Sequence, residues 1–153
     1  MCNIGGKTMG TATLYEKDFY AWTQEQAQLI KAKAFGELDI AHLFEEVEDM
    51  GNRHADEVQS RLEKILMHLL KWEFQPTKKS KSWYKTIVEQ RSRLQSRLKK
   101  MPSLTTKLPE LFEDAYAIVV KDASAETGLA KSVFPRQCKW TIEQILDDDF
   151  FPN

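Results

Sequence analysis

The strongest restriction on this chain is how rarely its backbone is interrupted. Six glycines and five prolines punctuate 153 residues, and three of the glycines fall within the first ten positions. Between the rest, every long segment repeats apolar side chains three and four residues apart, the spacing that gathers them on one face of a helix. No segment sustains the alternation of period two that a half-buried strand requires. The expected class is all-α: a compact helical bundle of five to six helices, ending in a short C-terminal helix. A chain of this length buries enough surface to hold one core without a disulfide or a structural metal.

Local signals divide the chain. Residues 1–12, MCNIGGKTMGTA, read as a flexible N-terminal arm, and residues 13–153 as a single all-helical domain. Thr13 and Glu16 have the spacing of a capping box, so the first helix is expected to begin there, striped by Tyr15, Phe19, Trp22, Leu29 and Ile30. A break at Phe35-Gly36 precedes Asp39, a good N-cap for a helix striped by Ile40, Leu43, Phe44, Val47 and Met50. Gly51 either ends that helix or dents it. The stripe Val58, Leu62, Ile65, Leu66, Leu69 and Trp72 then runs to Phe74, and Pro76 stops it.

After the polar run TKKSK, Ser82 is expected to cap a helix striped by Trp83, Ile87, Leu94, Leu98 and Met101, with Pro102 as its end. The next helix spans about Ser103 to Thr127, with Pro109 either kinking it or marking its true first turn and Gly128 closing it. Thr141 and Gln144 form a second capping-box pattern, with Trp140 and Ile145 placed as a hydrophobic staple. The aromatic tail, Trp140, Phe150 and Phe151, either packs back onto the bundle or forms a dimer contact.

Cys2 and Cys138 stand too far apart in sequence to suggest a disulfide framework or a ligand cluster. No stretch reaches the length of a membrane span, and the first twelve residues lack the apolar core of a secretory signal. The expectation is a cytoplasmic protein with no membrane partner.

The formal net charge of −1 conceals a division. Residues 37–57 carry eight acids against Arg53, while residues 78–100 carry nine cations against Glu89. Either the two segments pack as neighbours and neutralise each other, or the basic one is a surface for phosphates. In the second reading Lys78, Lys79, Lys81, Lys85, Arg93 and Arg97 would contact an anion or nucleic acid, and Trp83 would stack a base.

Several polar residues fall on or beside stripes that should face a core: Gln26, Glu46, Glu48, His68, Arg91 and Asp122. Buried charges need partners, so a polar network is expected, with Arg91 bridging carboxylates such as Glu48 or Asp122 and His68 hydrogen-bonded nearby. The competing reading is a metal site, since His and carboxylates on facing helices are its raw material. His42, Glu45 and Asp49 share a helix face, but that face is opposite the apolar stripe, and no Glu-x-x-His occurs. Glycine-rich phosphate loops and nucleophile elbows are also absent from the sequence. Cys138, between Arg136 and Lys139, is either an activated thiol or an inert buried one.

The segments TLYEKDFYAW, LDIAHLFEEVEDMG, RLEKILMHLLKWEFQP, SKSWYKTIVEQRSR and ETGLAKSVFPRQCKWTIEQILDDDFFP together resemble a bacterial family, abundant in cyanobacteria, catalogued as domain of unknown function 29. The resemblance covers about residues 14–152. It implies an all-helical cytosolic bundle and assigns no catalytic residues and no cofactor. The reading is a non-enzymatic binding or interaction module. Its partner is another protein, a second copy, or nucleic acid at the basic segment. The alternative is a metal-dependent hydrolase with a polar site in the bundle interior.

Overall fold

The computed structural model describes residues 14–153. The arm expected over residues 1–12 and the cap expected at Thr13 lie outside them. Every α-helix end that follows has a local chemical cause. Asp18 interrupts a helical turn at 14–17 and restarts the chain as α1, Phe19–Lys31, its carboxylate accepting from the Ala21 N–H at 3.0 Å. The first helix is therefore in two pieces rather than continuous from Thr13. At its far end Lys33, not Gly36, takes the left-handed conformation, with φ 57°. The N–H groups of Lys33 and Ala34 turn back to the carbonyls of Ile30 and Leu29, closing the helix end.

Helix α2, Ile40–Phe74, runs through Gly51 for 35 residues, about 52 Å at 1.5 Å per residue. Gly51 neither ends nor caps it, because helical backbone on both sides is hydrogen-bonded past it. Helix α3, Lys81–Lys100, is capped by Ser80 instead of the expected Ser82: the Ser80 hydroxyl accepts from the Trp83 N–H at 3.2 Å. A 3-10 stretch, Pro102–Lys107, leads into α4, Leu108–Thr127, so Pro109 sits in the first turn, where its missing N–H costs nothing. Gly128, at φ 76°, closes α4. Thr141 and Gln144 complete the expected capping box at α5, Ile142–Leu146.

The described chain falls into two compact units, one ending at Asn52 and the other beginning at Arg53. Only Trp22 and Gln26 are buried among the described residues of the first. The second is a helical bundle with a continuous apolar core. Val58, Leu62, Ile65, Leu66, Leu69 and Leu70 of α2 meet Ile87 and Leu94 of α3, and α4 adds Leu111, Ala115, Tyr116, Val119 and Ala123. Helix α5 packs against both α3 and α4 and contributes Ile145. The tail folds back as one of its two expected arrangements: Trp140 is buried, Phe150 meets it edge-on, and Phe151 lies against Trp72 and Tyr84. The described residues include no strand, and no helix among them is long and apolar enough to cross a membrane.

Candidate functional site

In the first unit the polar groups hold α1 and α2 at a fixed rotation. The Asp39 carboxylate accepts from the Trp22 indole at 3.0 Å and from His42 Nδ1 at 2.6 Å, while the Asp39 N–H donates to Gln26 Oε1 at 2.8 Å. Burial, the largest single influence, pushes the Asp39 carboxyl up. The donors from His42 and Trp22 outweigh it and hold the group below its ordinary range. Tyr15 stacks on His42 with ring centroids 3.9 Å apart and donates to Glu46 at 2.6 Å, which, with burial, pushes the phenol up to about 12. Gln26 and Glu46 thus find their partners here.

That anchoring decides what α2 shows to the outside. Asp39, His42, Leu43 and Glu46 lie on its α1-facing side. At 100° per residue, Ile40, Phe44 and Val47 lie roughly 110° further round. Ile40, Phe44, Val47 and Met50 are 62, 62, 64 and 59 % exposed, so these members of the stripe expected to face a core lie open, while Leu43 is half-buried. Phe19 and Ile30 of the first expected stripe are also exposed, as are Tyr20 and Phe35. Eight of the twelve large exposed hydrophobics among the described residues belong to this small unit. Glu48 borders the stripe, while the exposed Glu45 and Asp49 fall on the opposite side of the helix.

The basic segment is less uniform than its sequence. Arg93 pairs with Glu89 at 2.7 Å, and Arg97 pairs with Glu57 at 2.8 Å. Glu57 also accepts from Arg61 at 2.6 Å. That hydrogen bond is the largest influence on Glu57 and, with Arg97, holds its carboxyl low against partial burial. Glu57, Arg61, Arg93 and Arg97 line a shallow groove of about 340 Å³ with Ser92, Ser96 and Lys100. Trp83 is partly covered by Lys71, whose ammonium lies 4.9 Å from its ring and 2.7 Å from Glu126. Lys79 sits over Trp72. Lys78, Lys81 and Lys85 are exposed without a carboxylate partner among the described residues; Lys81 and Lys85 share an α3 face with Tyr84 and Val88.

The interior candidates separate. Arg91 is fully buried, yet it pairs with no carboxylate among the described residues. Its Nε donates to the Ile145 carbonyl at 2.7 Å, and Nη2 reaches the Gln144 carbonyl at 3.5 Å. The expected bridge to Glu48 or Asp122 is absent because both carboxylates are exposed while Arg91 stands over the last turn of α5. His68 donates Nδ1–H to the Lys64 carbonyl at 2.8 Å. Among the described residues, no group of three or more His, Cys, Asp or Glu is placed to hold a metal ion. His42 turns to Asp39 rather than to Glu45 and Asp49, so the described residues assemble no metal centre at the positions considered for the hydrolase reading.

A second cleft, about 560 Å³, is lined by Phe112, Tyr116, Arg136, Cys138, Trp140 and Ile142, among others. Tyr116 donates to the Pro135 carbonyl at 2.5 Å, and burial, the largest influence, pushes the Cys138 thiol up, which disfavours its thiolate form. The sequence reading missed Asp39 as a hub, although Asp-x-x-His at the start of a helix was its visible signal. It also missed the Lys71–Glu126 pair, whose partners are 55 residues apart and leave no local mark.

No curated protein and no solved structure matches the chain. A family model, Domain of unknown function DUF29, matches residues 14–151, in agreement with the segments quoted above. The all-helical architecture, the capped C-terminal helix and this match over nearly the whole length lead to one assignment: the chain belongs to the DUF29 family.

Proposed function

We propose that the chain is a non-enzymatic interaction module that docks another polypeptide on the outward face of α2. One observation carries this reading: Ile40, Phe44 and Val47 form an apolar stripe more than half exposed, on a helix whose rotation is fixed by its polar contacts to α1. Contiguous apolar surface of this kind is costly to leave in water and marks interaction sites. Glu48 at the edge of the stripe favours a partner surface that is apolar at its centre and carries a cation beside it.

Nucleic acid is the competing partner. Arg93 and Arg97 already hold carboxylates, which leaves the lysines at the start of α3 as the phosphate-binding groups. A photo-crosslinking residue placed at Val47, with one at exposed Lys121 as control, tests the protein reading inside cells. A polypeptide adduct at 47 and none at 121 is expected. No adduct at 47 overturns the reading. A short RNA retarded at low salt and released by Lys78→Glu, Lys81→Glu and Lys85→Glu would put nucleic acid in its place.

A further inference from the structure

We infer that the cleft of about 560 Å³ between α4 and the segment entering α5 binds a free α-amino acid with an apolar side chain; the inference stands on the second unit alone and is independent of docking on α2. A cavity of this size suits a small ligand when its floor is apolar and a few polar groups converge on it. Pro109, Phe112, Glu113, Tyr116 and Ala117 recur three and four residues apart, so one face of α4 makes the first wall. Residues 136–142 make the second. Tyr116 and Trp140 are buried, and with half-buried Phe112 and Ile142 they give the cleft an aromatic and aliphatic floor.

Two charges of opposite sign stand at the rim. Glu113 and Arg136 are both exposed and both line the cleft, and neither pairs with the other or with any other described residue. A ligand of a single charge would meet attraction and repulsion at the same rim. An ammonium beside Glu113 and a carboxylate beside Arg136 satisfy both, and an α-amino acid carries the two on one carbon, with its side chain directed to the floor. The walls are braced without a ligand. The Tyr116 hydroxyl donates to the Pro135 carbonyl next to Arg136, Lys139 pairs with Glu73, and the capping box of Thr141 and Gln144 holds the start of α5. A site shaped in advance loses less freedom when it binds.

Titration calorimetry of the purified full-length chain with L-phenylalanine tests this. The comparison compounds are 3-phenylpropionate, which lacks the ammonium, 2-phenylethylamine, which lacks the carboxylate, and N-acetylphenylalanine amide, which lacks both charges. L-phenylalanine is expected to bind roughly tenfold or more tightly than each of them. Bound L-phenylalanine should also slow alkylation of Cys138, a lining residue, by iodoacetamide. Glu113→Gln should erase the preference over 3-phenylpropionate, and Arg136→Gln the preference over 2-phenylethylamine; circular dichroism verifies that both variants are folded. Failure of both L-phenylalanine and L-leucine to bind at about 10 mM overturns the inference. Equal affinity for all four phenyl compounds does so too, since an apolar hollow alone would give it. Binding that leaves Cys138 alkylation unchanged, or that keeps its selectivity in both variants, lies elsewhere and likewise overturns it.

Discussion

Arg91 is the residue on which the second unit most depends. Its side chain fills core volume and supplies the donors for the Ile145 and Gln144 carbonyls, while Phe151 lies 5.2 Å from its guanidinium. Arg91→Ala should cost about 3–5 kcal/mol, because it combines a cavity with stranded buried acceptors. Urea unfolding followed by tryptophan fluorescence measures this. His68 gives the pH dependence. Burial is the main influence on it and holds its imidazole below the ordinary 6.5, so below that pH the unfolded chain binds more protons than the folded one. Stability should therefore decline as pH drops from about 6.5 toward the lower folded-state pKa, and His68→Gln should flatten that part of the profile. Lys33 occupies a left-handed position that suits glycine, and Lys33→Gly should raise the melting temperature, by about 1 kcal/mol of relieved strain.

At the scale of elements, helix ends were legible where the chemistry is local. Thr141 with Gln144, Gly128 and Pro76 act within four residues, and the structure uses each of them as read. Ser80 and Ser82 are equivalent by type and differ only in which backbone adopts the extended cap conformation, which spacing alone does not reveal. Gly51 left two outcomes open for a similar reason, and the helix continues: a helix tolerates one glycine at a modest propensity cost when residues before and after it are strong formers. Gly51→Ala should stabilise α2 by about 1 kcal/mol, since the added methyl meets no neighbour and the helix gains propensity. Thermal unfolding of the two proteins side by side reads this; a lower melting temperature for the alanine variant would mean that something occupies the space.

For the whole molecule, amphipathicity told which faces are apolar but not what covers them. The α2 stripe is one pattern in sequence, yet its part from Val58 onward is core and its part before Gly51 is surface. That difference depends on what packs against the helix, which periodicity does not encode. The candidate polar residues show the same limit: Glu48 and Asp122 stand exposed, while Arg91 takes carbonyl partners 53 and 54 residues away that no local pattern announces. The unequal burial has a measurable result. Amides of α1 should exchange with deuterium well before those of Leu62 to Leu70, because local opening of the first unit exposes little apolar surface. Equal protection in both would contradict the division at residue 52.

The contact between Arg91 and α5 also sets an order in time. Its acceptor at residue 145 is made 54 residues later, which at 5–20 residues per second is about 3–11 s of translation. Throughout that interval α2, α3 and α4 can gather, but a guanidinium at their centre has no carbonyl to receive it. Closing the core therefore waits for residues 142–146, and that five-residue helix acts as the latch of the bundle.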